Sequence, residues 1–200
     1  EFVIDKKEFD GDRIDDLQIK NKAGQQKIQI KYSGESDHRL QKSDIAGDAV
    51  YGIALDKLYE NWRKYPAEKE LTKFRLCLAW NAPTDTLLNF LEPIAGAGAF
   101  SGFTTKPFKI KGEAIWPEGQ SLPVTSWKRF RSKATTIDRS LFLEFCNQLV
   151  IETTLPKFSL NLLAPGPLES LVLQQVKRLG IGVFPNQHIE PDHFILSLVA

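Results

Sequence analysis

Ile14-Asp15-Asp16-Leu17-Gln18-Ile19, the polar turn Asn21-Lys22-Ala23-Gly24 and then Lys27-Ile28-Gln29-Ile30-Lys31-Tyr32 form the stretch that decides how this chain folds. Side chains alternate across a strand, so the last segment puts Ile28, Ile30 and Tyr32 on one face and Gln29 and Lys31 on the other. Two apolar segments joined by a glycine-bearing turn predict a β-hairpin. The acidic pair Asp15-Asp16 heads its first strand, which is expected to run from Ile14 to Ile19. Because Gln29 and Lys31 share a face, both can meet an acid from the neighbouring strand.

That convergence suits phosphodiester hydrolysis. A carboxylate, from Asp16 or Asp15, holds a divalent cation, and hard oxygen ligands favour Mg²⁺ (or Mn²⁺). Gln29, two residues before the lysine, completes the metal shell or orients water, and the backbone carbonyl of Ile30 can also reach a metal. The Lys31 ammonium stabilises charge at the attacked phosphate or helps to lower the pKa of the attacking water. A plainer reading fits the same residues. Asp15-Asp16 would cap a turn beside Gly11 and Arg13, and Gln29 with Lys31 would form the wet face of an edge strand.

Outward from the hairpin the pattern is α/β. A short apolar run, Phe2-Val3-Ile4, precedes it. Ser33 to Lys42 reads as a polar loop. Ser43 is an expected N-cap for one long helix to about Tyr65, stopped by Pro66, with Ile45, Ala49, Ile53, Leu58 and Trp62 at helical spacing. Phe74 to Trp80 reads as a buried strand ending at Asn81-Ala82-Pro83, and Thr84 or Asp85 as the cap of a helix through Leu91. The stretch from about 93 to 136 is rich in Gly, Pro and aromatics and reads as a long loop or an insertion with short strands. A helix is expected from Asp138 to about Val150, an extended segment to Thr154, and an amphipathic helix from Leu168 to Leu179, ended by Gly180.

Composition bounds the partners. Lys+Arg number 26 and Asp+Glu 25, a net charge of +1, so a nucleic-acid surface must come from local clustering of cations. No apolar run is long enough to cross a bilayer, and no membrane partner is expected. The two cysteines, Cys77 and Cys146, lie in apolar stretches and are expected to be buried free thiols in a reducing cytoplasm. With no methionine at all, even at position 1, the chain is expected to be a piece of a longer protein.

The order of an acid-bearing apolar strand, a turn, Gln29-Ile30-Lys31 on a second apolar strand, a polar linker and a helix resembles the PD-(D/E)xK nuclease superfamily. It is closest to the branch in which glutamine replaces the second acid. The stretches Ile14 to Ile19 and Ile28 to Ser33 are similar to the Mrr-like restriction endonucleases. They are also similar to the effector nucleases at the N-termini of bacterial antiphage proteins, including STAND-type NTPases. Leu40-Gln41-Lys42-Ser43-Asp44 leading to Asn61-Trp62 looks like the segment after the lysine in the effector group. The resemblance covers residues 8 to 65, and more weakly Phe74 to Asn81.

Lys31 then matches the motif lysine and Gln29 the position that is normally acidic. The phase of the effector group favours Asp16 as the first acid, and the Mrr-like alignment favours Asp15. The resemblance implies a restriction-endonuclease-like central mixed sheet flanked by helices. It implies one nuclease domain over 1–200, with a core over 1–92, an insertion over about 93–136 and a C-terminal α/β part over 137–200. It further implies cleavage of double-stranded DNA, a role in antiphage defence, further NTPase or sensor domains of the same chain, and homo-oligomers. The sequence departs from the family in two ways. A neutral Gln29 removes an anionic ligand, and no upstream helix supplies a further glutamate, with Glu8 or Glu1 a poor substitute.

Other features read more plainly. His38 can contact substrate or sit solvated in its loop. His188, Asp192 and His193 match no standard metal spacing and read as surface. Ala95 to Gly102 is glycine-rich but lacks the ending of a phosphate loop. Trp127-Lys128-Arg129-Phe130-Arg131-Ser132-Lys133 interleaves cations with aromatics. Lys128, Arg129 and Arg131 either grip a nucleic-acid backbone or form a solvated face, with Trp127 and Phe130 in the core. Two rival functions remain: a non-catalytic nucleic-acid-binding or sensing module, and a structural interaction domain of a larger NTPase.

Overall fold

The computed structural model describes residues 2–4, 7–14, 16–22, 24–31, 37–46, 53–65, 72–95, 104–134 and 136–155. The chain divides into two units, 1–155 and 156–200. The second lies outside the described residues, and with it the helix expected over 168–179 and the His188, Asp192 and His193 group. Asp15, Tyr32 and residues 96–102 of the glycine-rich run also lie outside them.

The first unit is mixed α/β. Among its described residues seven strands, β1 (Phe2–Ile4), β2 (Leu17–Asn21), β3 (Gly24–Lys31), β4 (Thr72–Leu78), β5 (Leu91–Pro93), β6 (Lys106–Ile110) and β7 (Leu149–Thr153), form one sheet in the order β1-β2-β3-β4-β7-β6-β5. The hairpin pairs as its alternation predicts, antiparallel with Leu17 opposite Ile28 and Asn21 opposite Gly24. β3 runs parallel to β4, and β4 parallel to β7. The remaining pairs are antiparallel. A parallel neighbour needs a crossover, and the connection from β3 to β4 carries α1 (Lys42–Ala46) and α2 (Leu55–Arg63).

One long helix from Ser43 to Tyr65 does not form. α1 begins at Lys42, so Ser43 lies inside its first turn. Ala54, immediately before α2, has the left-handed backbone φ 49°, ψ 68°, which no continuous α-helix accommodates. The Asp44 carbonyl instead accepts from Ile53 N at 2.6 Å. The helix expected through Leu91 is likewise one short turn, α3 (Asp85–Leu88), because Leu91 pairs with Ile110 in the sheet.

The stretch expected as an insertion contributes β6, α4 (Gly112–Ile115) and α5 (Lys128–Ser132) to the same layers, and β7 enters the sheet between β4 and β6. Its strands are too short to leave a readable period. α6 (Arg139–Gln148) is capped as expected by Asp138, whose carboxylate accepts from Ser140 N at 2.7 Å and Leu141 N at 3.2 Å. Hydrogen bonds from the Ser140 side chain and these two amides hold that carboxyl below its usual range.

The main core fills the face bearing Phe74, Leu76 and Leu78 of β4 and Leu149 and Ile151 of β7. Helices α2 and α6 cover it with Tyr59, Trp62, Phe142 and Phe145, joined by Phe130 from α5. Trp62 keeps its indole N–H satisfied by donating to Gln148 Oε1 at 2.9 Å. A smaller cluster on the other face holds Ile28, Cys77, Ala79 and Leu155. Both cysteines are buried free thiols, and burial pushes both thiol pKa values up. Among the described residues no helix is long and apolar enough to cross a membrane.

Candidate functional site

β3 lies inside the sheet, between β2 and β4, so the edge-strand alternative for Gln29 and Lys31 does not hold. In β4 the partners of Lys27, Gln29 and Lys31 are Phe74, Leu76 and Leu78, the three residues that face the main core. Hence the polar stripe of β3 points to the helix-covered side, and Ile28 and Ile30 point to the smaller cluster. Alternation was legible in the sequence. Which side carries the larger core was not.

The upper part of that stripe is fully sheltered. Lys27 is 1% exposed, and its ammonium lies 3.2 Å from Glu8 Oε1 and 4.6 Å from the centre of the Tyr65 ring. The Tyr65 hydroxyl donates to both carboxylate oxygens of buried Asp12, at 2.6 and 2.8 Å. Asp12 also accepts from Glu8 N at 3.2 Å and Ile14 N at 3.1 Å. Such satisfaction is what a buried charge demands. It also explains why β2 starts at Leu17 rather than Ile14: the backbone before it is bound to Asp12 and, at Arg13 N, to Asn61 Oδ1 at 2.6 Å. Glu8, the weak substitute for an upstream acid, is engaged with Lys27.

Lower down the stripe Asp16 meets the backbone of the Gln29–Lys31 segment. Continuing the β2–β3 register by one residue sets Asp16 opposite Gln29, where paired side chains share a face. The Asp16 carboxylate accepts from Ile30 N at 2.6 Å. A strand residue points its N–H and C=O to the same side, so the Ile30 carbonyl also looks toward Asp16. Gln29 is half-buried, yet its Oε1 is shielded from solvent and has no hydrogen-bond partner. An unpaired acceptor of this kind costs about 1–3 kcal/mol. Lys31 is half-buried at the end of the strand, its carbonyl accepting from Ala79 N at 3.1 Å.

These are three oxygen donors of the hard type, one anionic: the Asp16 carboxylate, Gln29 Oε1 and the Ile30 carbonyl. They fit a small divalent cation, and the orphaned Gln29 oxygen is the feature a cation would satisfy. Among the described residues no group of three or more His, Cys, Asp or Glu side chains stands together. A cation here therefore relies on Asp16, neutral oxygens and water.

Beyond Lys31 the chain rejoins the line of β3, with Arg39 bridged in parallel to Asn81. His38 is held there rather than freely solvated. Its Nε2 lies 2.9 Å from Asp44 Oδ2, and its ring packs edge-on against Trp80 at 4.8 Å. Asp44 is 2% exposed and accepts also from Gln41 N at 2.7 Å. The sequence offered no sign of this pair, because it depends on where the 37–44 segment docks.

The basic segment around α5 is mostly committed elsewhere. Trp127 and Phe130 are buried. Arg131 donates to the Pro123 carbonyl at 2.6 Å, and Arg129 lies 3.7 Å from Asp56. Lys128 is exposed. On the other face of the sheet, buried Glu152 pairs with Arg75 and lies 3.9 Å from Cys77 Sγ, a structural cluster the sequence did not announce.

Comparison with protein-family models, with curated proteins and with solved structures finds no match to this chain.

Proposed function

We propose that this domain is a Mg²⁺- or Mn²⁺-dependent endonuclease of the restriction-endonuclease-like PD-(D/E)xK type, acting on double-stranded DNA. The observation that carries the reading is the Asp16 carboxylate bound to the backbone between Gln29 and Lys31, beside a Gln29 oxygen that has no partner. The order of the central strands supports it: an antiparallel hairpin whose second strand continues, through helices, to a parallel neighbour.

In this reading Asp16, Gln29 Oε1 and the Ile30 carbonyl hold the cation, with Asp15 the alternative acid. When bound, the cation supplies charge stabilisation at the phosphate and a more acidic water. Gln29, half-buried with its Oε1 shielded from solvent, would turn that oxygen to the cation. Lys31, two residues further along the same face, places its ammonium against the attacked phosphate and stabilises the charge that develops there. On the strength of the family resemblance, we place the activity in an effector module of a bacterial antiphage protein. Pairing of two copies would set two sites on opposite DNA strands.

Plasmid digestion with Mg²⁺ or Mn²⁺ tests this. The wild-type chain nicks and linearises the plasmid, and Asp16→Ala and Lys31→Ala abolish cutting. Undiminished cutting by both variants refutes the site. Metal-independent DNA binding without any cutting favours the non-catalytic rival, which the single described carboxylate of the cluster also suits.

A further inference from the structure

Arg129, Arg131 and Lys133, around α5, are engaged within the fold. Along α2 the two acids are neutralised from α5 and the turn after it. Asp56 lies 2.9 Å from Lys133 and 3.7 Å from Arg129, and Glu60 lies 2.6 Å from Lys133. The cations of the same helix and its end, Lys57, Arg63 and Lys64, are exposed. With Arg13, Gly11, Glu60 and Asn61 they line an open groove of about 630 Å³. None of the four cations takes part in an ion pair among the described residues. A chain of net charge +1 thus gathers four cations outside any ion pair of the described residues on one groove, beside the single paired carboxylate of Glu60. Two of them lie over aromatic rings, Arg63 over Tyr59 at 5.8 Å and Lys64 over Phe9 at 5.4 Å.

We propose that this groove is the surface that grips the phosphodiester backbone of duplex DNA, an assignment that rests on the nuclease reading for the choice of duplex. Lys57 and Lys64 are seven residues apart, which on a helix is about 10 Å along the axis. That is the rise of about three phosphates on one strand, so the groove suits a line of phosphates rather than one small anion. Arg13 is pinned to the groove from below. Asn61 accepts from Arg13 N at 2.6 Å and donates from Nδ2 to the Gly11 carbonyl at 3.2 Å. Asp16 follows three residues later, within about 10 Å of extended chain. A backbone lying in the groove therefore passes within a few phosphates of the Asp16–Gln29–Lys31 cluster.

An anionic lipid surface is the weaker fit. Membrane-surface binding needs apolar side chains to enter the interface beside the cations. Leu88 is the one exposed large hydrophobic residue among those described, and it does not line the groove.

The test is fluorescence anisotropy of a short labelled duplex with the full chain in EDTA, across a salt series. Lys57→Gln/Lys64→Gln is expected to bind about tenfold more weakly at moderate salt. Its slope of log affinity against log salt should be shallower by about 1 to 2, near 0.9 for each phosphate that is no longer neutralised. Lys57→Arg/Lys64→Arg, which keeps both charges, should bind as the wild type does. The proposal is overturned if the glutamine variant keeps wild-type affinity and slope. It is equally overturned if the arginine variant loses binding too, or if the glutamine variant loses affinity for anionic vesicles while duplex binding is unchanged. Because no metal is present, a failure of the nuclease reading in the plasmid assay leaves this measurement standing.

Discussion

Restoring the second acid, Gln29→Glu, gives the sharpest test of the hairpin's chemistry. Without metal the new carboxylate stands near Asp16, whose own carboxylate bonds the Ile30 amide next to position 29. Two unit charges about 5 Å apart repel by roughly 3 kcal/mol at an effective dielectric of 20. Lys31, on the same face of β3, offsets part of this, leaving a net loss of about 1–2 kcal/mol. For a domain of this size that lowers Tm by about 2–8 °C. With metal the sign reverses, because the added carboxylate becomes a second anionic ligand. A tenfold gain in affinity adds about 1.4 kcal/mol of stabilisation at saturating Mg²⁺. Differential scanning fluorimetry across a Mg²⁺ titration should show a metal-free variant less stable than wild type and a larger metal-induced rise. Asp16→Ala in the same background should cancel that rise. A Gln29→Glu chain whose melting responds to Mg²⁺ no more than wild type, or whose response survives Asp16→Ala, refutes the shared site.

Other expectations concern the scaffold. Tyr65→Phe leaves the buried Asp12 carboxylate without its hydroxyl donor and should cost about 1–3 kcal/mol in urea unfolding; an unchanged midpoint counts against the buried network. Gly112→Ala would set its new Cβ 2.7 Å from Leu143 Cδ2 and 3.2 Å from Cys146 Cβ. Overpacking of this kind should cost about 1–3 kcal/mol, and Leu143→Ala should recover part of it. Burial disfavours the thiolates of Cys77 and Cys146 and raises both pKa values above the ordinary 9.0. A thiol reagent at pH 8 should therefore label the chain only after denaturation. The same shift means the folded state holds these protons more tightly. The stabilisation is complete below pH 9.0 and is lost as pH rises above it, so urea midpoints measured from pH 8 to 11 should fall.

What the sequence revealed and what it hid divide along one physical line. Features set by near neighbours were legible. The Leu17–Ile28 pairing follows from alternation and a four-residue turn, and Asp138 announces α6 because its cap bonds lie two and three residues away. Features set by distant packing were not. Gly47 and Gly52 weaken the helical pattern, but nothing in the sequence places the left-handed break at Ala54, which the Asp44 carbonyl helps to fix. The strands between residues 91 and 110 are too short for a period to show. His38 meets Asp44 and Trp80 only after its segment docks beside Asn81.

The polar stripe of β3 stands between these cases. Gln25, Lys27, Gln29 and Lys31 alternate with other side chains along the strand, and a reader assigns such a face to water. A central strand on the helix-covered side of the sheet has little wet face, however, so sheltering buried Lys27 and half-buried Gln25, Gln29 and Lys31 there carries a desolvation cost that packing alone does not repay. The fold answers it at three of the four. Gln25 bonds Gln18 at 2.7 Å and Thr72 at 2.5 Å, Lys27 meets Glu8 and the Tyr65 ring, and Lys31 lies half-exposed at the strand end. Within the stripe only the Gln29 oxygen is left unanswered, while Gln26 on the opposite face of β3 and Gln18 on β2 carry unpaired oxygens too. What sets Gln29 apart from those two is its place beside the Ile30 amide that Asp16 accepts from, and a local rule broken next to an acid can mark a site kept for something other than stability. Gln29→Leu separates the two explanations: it removes the orphan, so the metal-free chain should be as stable as wild type or more so, while the response to Mg²⁺ disappears. A Gln29→Leu chain that loses several kcal/mol would mean the amide serves the fold, and the case for a cation beside Asp16 would go with it.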